Sequence, residues 1–200
     1  MDSLGFEKRE GLGVYEESFN QLNFERSLPA RWTLMSLRPT GFDPAWGPAP
    51  GIESPAFGFY GTLPKGEGET RAVALFEGGS LRVPFTLSVW VRKGSAESFG
   101  LVFSFRSKSD FRIVERDASS LRIWGRRLGE TLFLGQKGLP RITDKWHHLQ
   151  LQRRRGWVQV RWDHRWTLRV KTQGSGQGLM GLYARGGSVA FENLRLVQGK

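Results

Sequence analysis

Two carboxylates in this 200-residue sequence, Glu115 and Asp117, stand at a spacing that could support acid–base chemistry, with Arg116 between them. Residues two apart on a strand share a face, so the pair could offer a nucleophile and a general acid to one side of a sheet. The next positions are Ala118, Ser119 and Ser120. Glu115 and Asp117 read instead as strand-end partners of neighbouring arginines. The histidines, His147, His148 and His164, form no metal set. His147 and His148 are neighbours on a strand and point to opposite faces, while His164 falls in a turn. The cysteine count is zero, which excludes a disulfide framework, a thiolate metal site and a cysteine nucleophile. Nothing orients a base toward a strained serine, so no Ser-His-Asp group is expected. The glycine-rich string Gly174–Gly178 precedes a strand and no helix, which suits a connection and not a phosphate cradle. No enzyme activity is expected.

Binding chemistry is better represented. Thr86, Ser88, Trp90 and Arg92 alternate along one strand candidate, Arg122, Trp124 and Arg126 along a second, and Trp146 and His148 along a third. Each set falls on the side of its strand that faces away from the core. Tryptophan faces stack on pyranose rings while planar polar groups meet the hydroxyls, so Trp90, Arg92, Arg122, Trp124 and His148 are the expected ligand-binding set. The same tryptophans would equally suit packing beneath loops or against a partner subunit.

The elements that position these residues are clearest from Trp146 to Lys171. Strict alternation predicts a three-strand meander, because successive side chains of a strand point to opposite sides. Leu149, Leu151, Val158, Val160, Trp162, Trp166, Leu168 and Val170 fall on a buried face. Gln150, Gln152, Arg154, Trp157, Gln159, Arg161, Arg165, Thr167, Arg169 and Lys171 fall on the other. Arg155-Gly156 and Asp163-His164 sit where two-residue hairpin turns are needed. Arg154, Trp157, Arg161, Arg165, Arg169 and Lys171 are therefore the expected polyanion-binding set.

Charge supports that assignment. The formal net charge is +11, and the window Arg106–Lys171 holds 17 Lys/Arg against 6 Asp/Glu, while the rest carries 13 of each. The whole excess lies in one third of the chain. Such segregation attracts nucleic acid, acidic polysaccharide or anionic lipid. The competing reading is an arginine-rich solvated surface that binds nothing.

The chain suits one domain with a core of its own, at 38% hydrophobic and 12% aromatic residues. Residues 1–16 read as an N-terminal extension, with Met1 to Glu17 the clearest helical candidate although Gly5, Gly11 and Gly13 interrupt it. Residues 17–197 read as a single all-β sandwich domain of many short strands. Arg38–Pro55 carries five prolines and three glycines, which predicts a long ordered loop with Phe42 and Trp46 on it. No apolar run approaches a membrane span, and no signal peptide is expected in the sequence as it stands.

From Glu16 onward the order of segments resembles the concanavalin A-like lectin/glucanase superfamily, in its laminin-G-like and glycoside-hydrolase-16-like branch. EESFN resembles the opening acidic-Phe strand, LPARWTL the Pro-x-x-Trp entry, and VPFTLSVWVRK the first long core strand. FGLVFSFRSKSDFRIVER resembles the hairpin that follows. WHHLQLQRRRGWVQVRWDHRW resembles the Trp-His strand with its Asp-Gly hairpin, Asp163-His164 replacing Asp-Gly, and GLMGLYARGGSVAFENLRL the closing strand pair. The resemblance implies a jelly roll of two antiparallel sheets, one of them concave. It also sets a catalytic pattern, Glu-x-Asp-x(x)-Glu, whose second Glu is missing here, which implies a non-catalytic member. Relatives of this kind often bind one Ca²⁺ near the first and last strands; Glu17 and Glu192 are the candidates, with Asn193 replacing the usual second acid.

Three roles follow as expectations. The first is a binding module of a cell-surface, envelope or virion structure that recognises glycan or anionic polymer. The second is a sequence-nonspecific nucleic-acid-binding protein that uses the basic strand face. The third is a structural assembly subunit, homo-oligomeric or part of a larger assembly.

Overall fold

The computed structural model describes residues 7–9, 12–17, 31–37, 45–49, 52–58, 71–173 and 176–199. The strands run β1 Glu7–Arg9, β2 Leu12–Glu17, β3 Trp32–Ser36, β4 Ala45–Ala49, β5 Ile52–Gly58 and β6 Arg71–Leu81. Then come β7 Phe85–Lys93, β8 Ser98–Ser107, β9 Asp110–Arg116, β10 Ser120–Arg127 and β11 Glu130–Gly138. The chain continues through β12 Trp146–Arg154, β13 Trp157–Trp162, β14 Trp166–Lys171, β15 Gly178–Arg185 and β16 Ser188–Gly199. Among the described residues no helix is long and apolar enough to cross a membrane.

Alternation sorts these strands into two antiparallel sheets. The nine-stranded sheet runs β1-β2-β16-β7-β12-β13-β14, and the hairpin β4-β5 joins it through β16. The seven-stranded sheet runs β11-β10-β9-β8-β15-β6-β3. Leu87, Val89 and Val91 of β7, Leu149 and Leu151 of β12, and Val158 and Val160 of β13 face inward. They meet Phe99, Leu101 and Phe103 of β8 and Leu182 of β15 in one sealed core. A fully buried aliphatic or aromatic side chain contributes about 1.5–3 kcal/mol, so this layer supplies most of the drive to fold. A second apolar cluster, with Val73, Val102, Ile113, Trp124 and Tyr183, lies on the far side of the seven-stranded sheet.

The meander forms in the predicted register, with Leu151 opposite Val160 and Val160 opposite Leu168. Gly156 takes a positive φ of 81° at the first turn, which its missing Cβ allows. The second turn differs from expectation. Trp162 pairs with Trp166, so Asp163, His164 and Arg165 all belong to the turn and β14 begins one residue late. Asp163 and His164 both adopt left-handed backbone, at 49° and 57°. Trp166, expected inside, is 37% exposed because β14 ends its sheet.

The inner row of β12 ends on Arg153, which is buried. Its guanidinium donates to the carbonyls of Arg154 at 2.6 Å and Trp157 at 3.0 Å, closing the hairpin end from inside. Arg116 does similar work on β9. It donates to the carbonyls of Asp117, Ser120 and Pro140, and its charge lies 5.2 Å from the Trp162 ring. Charge-assisted bonds of this kind let a guanidinium sit in a core without an unsatisfied charge.

Two expectations about the N-terminal third are corrected. Residues within the supposed extension and helix form β1 and β2, and β2 pairs with β16 from Leu12 to Glu17. Glycine cannot hold a helix there, whereas the edge of β16 offers a full ladder. The proline-rich segment is not a continuous loop but contains β4 and β5, with Pro48 opposite Pro55. Among the described residues β4 pairs with β5 alone, and the β5–β16 ladder covers Ala56 to Gly58, so neither proline must donate to β16. Phe42 lies outside the described residues, as does the side chain of Trp46.

Candidate functional site

Strand register assembles two adjacent rows of polar side chains across the outer face of the seven-stranded sheet. Arg71 of β6 stands opposite Arg185 of β15, and Arg185 opposite Ser98 of β8. Glu115 of β9 stands opposite Arg122 of β10, and Arg122 opposite Gln136 of β11. Next to the second row Trp124 pairs with Phe133, and Arg126 with Thr131. All of these but Ser98 line a cavity of about 270 Å³.

Glu115 is the hub of that cavity and is 3% exposed. Ser98 Oγ donates to Oε1, the Trp124 indole donates to Oε2 at 2.6 Å, and the Tyr183 hydroxyl lies 3.5 Å from Oε1. Arg122 Nη2 approaches Oε2 at 3.5 Å and Arg185 Nε approaches Oε1 at 3.8 Å. A carboxylate held by this many partners is a structural anchor of the sheet face. Burial first, and then the Glu115 charge, push the Tyr183 phenol far above its usual range, so Tyr183 stays a neutral donor. Asp117 is also committed. It accepts from Ser119 N at 2.9 Å, Ser120 N at 2.7 Å and Ser120 Oγ at 2.7 Å, and it pairs with Arg122 at 3.0 Å. Burial raises its carboxyl, but those bonds and Arg122 outweigh burial and hold it below the usual value.

The sequence placed Arg122 and Trp124 in one set with Trp90, Arg92 and His148. The structure divides that set between opposite sides of the sandwich, because β10 belongs to one sheet and β7 and β12 to the other. Trp124 is also no open stacking platform. It is 8% exposed, and the Arg71 guanidinium covers its ring at 4.7 Å. Phe133, 60% exposed across the strand pair, is the aromatic surface at this cavity. Arg71, Glu115, Phe133 and Arg185 were missed as ligand-site residues, because only register shows that they converge.

On the nine-stranded sheet, Trp90 and His148 are cross-strand partners with rings 5.2 Å apart, and His164 stacks on His148 at 4.3 Å. Arg92 bonds Asp144 at 3.2 Å. His147, on the inner side, stacks on Trp162 at 4.9 Å and bonds Asp163 at 2.7 Å. Burial, and then the neighbouring His164, lower the His148 pKa below 6.5. The sign follows: the unfolded chain binds this proton at higher pH, so stability is complete above about pH 6.5 and falls as pH drops toward the depressed folded value. We expect the melting temperature to decline from pH 7.5 to 5.5, and His148→Gln to flatten that decline. Parallel profiles for the two proteins would remove His148 as its source.

Farther along the same sheet lies the basic face. Arg154, Trp157 and Lys171 form one cross-strand row, Gln152, Gln159 and Arg169 the next, and Gln150, Arg161 and Thr167 a third. Arg154, Arg161, Arg169 and Lys171 are exposed, and no acidic side chain pairs with them among the described residues. Neighbouring strands are about 5 Å apart and successive rows about 7 Å, so the four charges form one compact array. Arg169 lies 4.2 Å over the Trp157 ring, and both border a groove of about 430 Å³ with Gly156, Val170 and Lys171. The Gln159 amide oxygen, in its preferred orientation, accepts from Arg161 Nε at 3.0 Å. Arg165, expected on this face, lies in the turn at its end.

Glu16 is paired with Arg195 at 2.8 Å, Glu192 stands opposite Trp90, and the side chain of Glu17 lies outside the described residues. Among the described residues no three His, Asp or Glu side chains converge to hold a metal ion.

No known protein-family model matches the chain, and no curated protein matches it by sequence. Solved structures do match. The carbohydrate-binding module CBM66 from Bacillus subtilis superposes with a TM-score of 0.60 at 16% identity, over 82% of this chain and 94% of that one. The carbohydrate recognition domain of Emp47p gives 0.58 at 12% identity, over 93% and 96%. The fold is a concanavalin A-like jelly roll. The exoplasmic/lumenal domain of VIP36, in its Ca²⁺/Man3GlcNAc-bound form, gives 0.55 at 12% identity, over 85% and 86%. At such identities the likeness of this jelly roll to its neighbours is one of architecture, and site residues must be argued from the chain itself.

Proposed function

We propose that this jelly roll is a non-catalytic binding module of a cell-surface, envelope or virion structure, recognising glycan or another anionic polymer. The observation that carries the reading is the array of Arg154, Arg161, Arg169 and Lys171, exposed on one sheet face without acidic partners among the described residues. An array held by a rigid ladder loses little backbone freedom when a polymer docks, and each bound charge releases condensed counterions. The carbohydrate-binding domains that share the architecture support the choice of glycan. The commitment of Glu115 and Asp117 to structural bonds supports the non-catalytic part of the reading. Arg169 caps the Trp157 ring, which weighs against base stacking and therefore against the nucleic-acid role.

The test is a binding panel at low salt with heparin-type polymer, polyuronate, DNA and neutral β-glucan. The anionic polymers are expected to bind without sequence preference among DNAs, and no polymer is expected to release reducing sugar. Failure of every anionic polymer would move the assembly-subunit role into the lead. Release of reducing sugar that Glu115→Gln abolishes would contradict the non-catalytic reading.

A further inference from the structure

β14 ends the nine-stranded sheet, and register shows which of its backbone groups face outward. Thr172 N donates to Gly156 O at 3.0 Å, so Thr172, Val170 and Leu168 turn their N–H and C=O toward β13. Those of Thr167, Arg169 and Lys171 therefore point to the open edge. Lys137 Nζ caps that edge at one end, donating to Thr167 O at 3.0 Å. Arg112 caps it beyond the other, donating to Gln173 O at 3.3 Å. Between the caps, the N–H and C=O of Arg169 and Lys171 meet no partner among the described residues. A groove of about 430 Å³ borders this stretch, lined by Gly156, Trp157, Arg169, Val170 and Lys171. Arg169 and Lys171 are exposed on the basic face, and Val170 between them is half-buried against the core.

We infer that this edge is a docking site for an extended acidic peptide of a partner protein, which adds to β14 as an antiparallel strand. An open edge supplies main-chain hydrogen bonds for affinity, while alternate side chains give specificity. Residues directly opposite one another share a face, so the peptide residues across from Arg169 and Lys171 lie on the basic face and should be Asp or Glu. The residue between them meets Val170 and should be apolar. The same charges argue against a second copy of this chain. Two β14 strands side by side would set arginine and lysine against each other, which is how basic edge residues prevent self-pairing. The caps keep the pairing short, because Thr167 to Gln173 spans about 20 Å at about 3.4 Å per residue. The site goes beyond the polymer-binding reading: a glycan chain carries no alternating N–H and C=O in strand register, so the two partners share cations but not the edge.

The experiment is fluorescence anisotropy of the intact chain with a labelled peptide that alternates Glu and Val. N-methylating the glutamate amides, which point at β14 in this pairing, is expected to weaken binding roughly tenfold, the loss of about two hydrogen bonds. N-methylating the valine amides, which point away, should leave binding unchanged. Arg169→Pro removes an outward N–H without touching the β13 ladder, so the fold should survive. It should bind the peptide far more weakly than Arg169→Gln, which loses the same charge and keeps the N–H. Equal effects of the two methylation patterns mean that charge alone holds the peptide, and overturn the docked strand. Equal binding by a peptide of the same composition with its glutamates in one block overturns it too. Both comparisons use the wild-type chain, so they decide the matter even where the proline variant unfolds. Heparin-type polymer that binds while the alternating peptide does not overturns the peptide site and leaves the polymer reading standing. Binding of neither overturns both.

Discussion

Glu115→Ala is expected to lower the melting temperature by roughly 10 °C. Removing one partner of a buried charge network costs about 3–5 kcal/mol, and each kcal/mol shifts a domain of this size by about 2–4 °C. The cost arises because the change strands the Ser98 hydroxyl, the Trp124 indole and the Tyr183 phenol, all buried. It also leaves Arg122 and Arg185 without their shared anion. Glu115→Gln keeps the shape and one acceptor oxygen, so it should cost about half as much. Urea or thermal denaturation of both variants checks the order. A loss below about 1 kcal/mol for the alanine variant would show that Glu115 is not the anchor of this sheet face.

The second large effect is on binding. Arg161→Glu/Arg169→Glu should weaken affinity for heparin-type polymer by roughly 100-fold at low salt. The two substitutions change the face by four unit charges, each worth about 1 kcal/mol at bulk-water dielectric; salt screening lowers the sum to roughly 3 kcal/mol, and a tenfold change corresponds to 1.4 kcal/mol. Both side chains are exposed, so the fold should survive. Lys108→Glu/Arg127→Glu changes net charge by the same amount on exposed residues of the other sheet and its β8–β9 turn. That control should lose only a small factor. Equal losses would mean that global charge attracts the polymer and that the β12–β14 face has no special part.

How much of this was legible beforehand depended on whether the signal was local. Alternation in Trp146–Lys171 announced strands and faces because each residue there has one side in the core and one in solvent. The same rule put Trp90 and Trp124 on outward sides. It could not tell that they point away from each other, since sheet membership depends on pairing between strands distant in sequence. Glu115 and Asp117 were readable as arginine partners, and Arg122 does contact both. The convergence of Arg71 and Arg185 on Glu115 was not, because it depends on register across β6, β15, β8 and β9. Arg153 and Arg116 look like surface charges in sequence, yet carbonyls at hairpin and strand ends make them core residues. Leu12–Glu17 looked helical or frayed because its strand state comes from β16 and not from its own composition.

The most direct measurement of the central claim is the affinity for heparin-type polymer as a function of salt. If the four exposed cations of the β12–β14 face make the contact, the logarithm of the association constant should fall linearly with the logarithm of salt. Its slope should be between about −2.5 and −4, because each neutralised polymer charge releases most of one counterion. The Arg161→Glu/Arg169→Glu variant should flatten that slope. Wild-type binding that barely responds to salt, or a slope that the variant leaves unchanged, would contradict the assignment of this face as the polymer-binding surface.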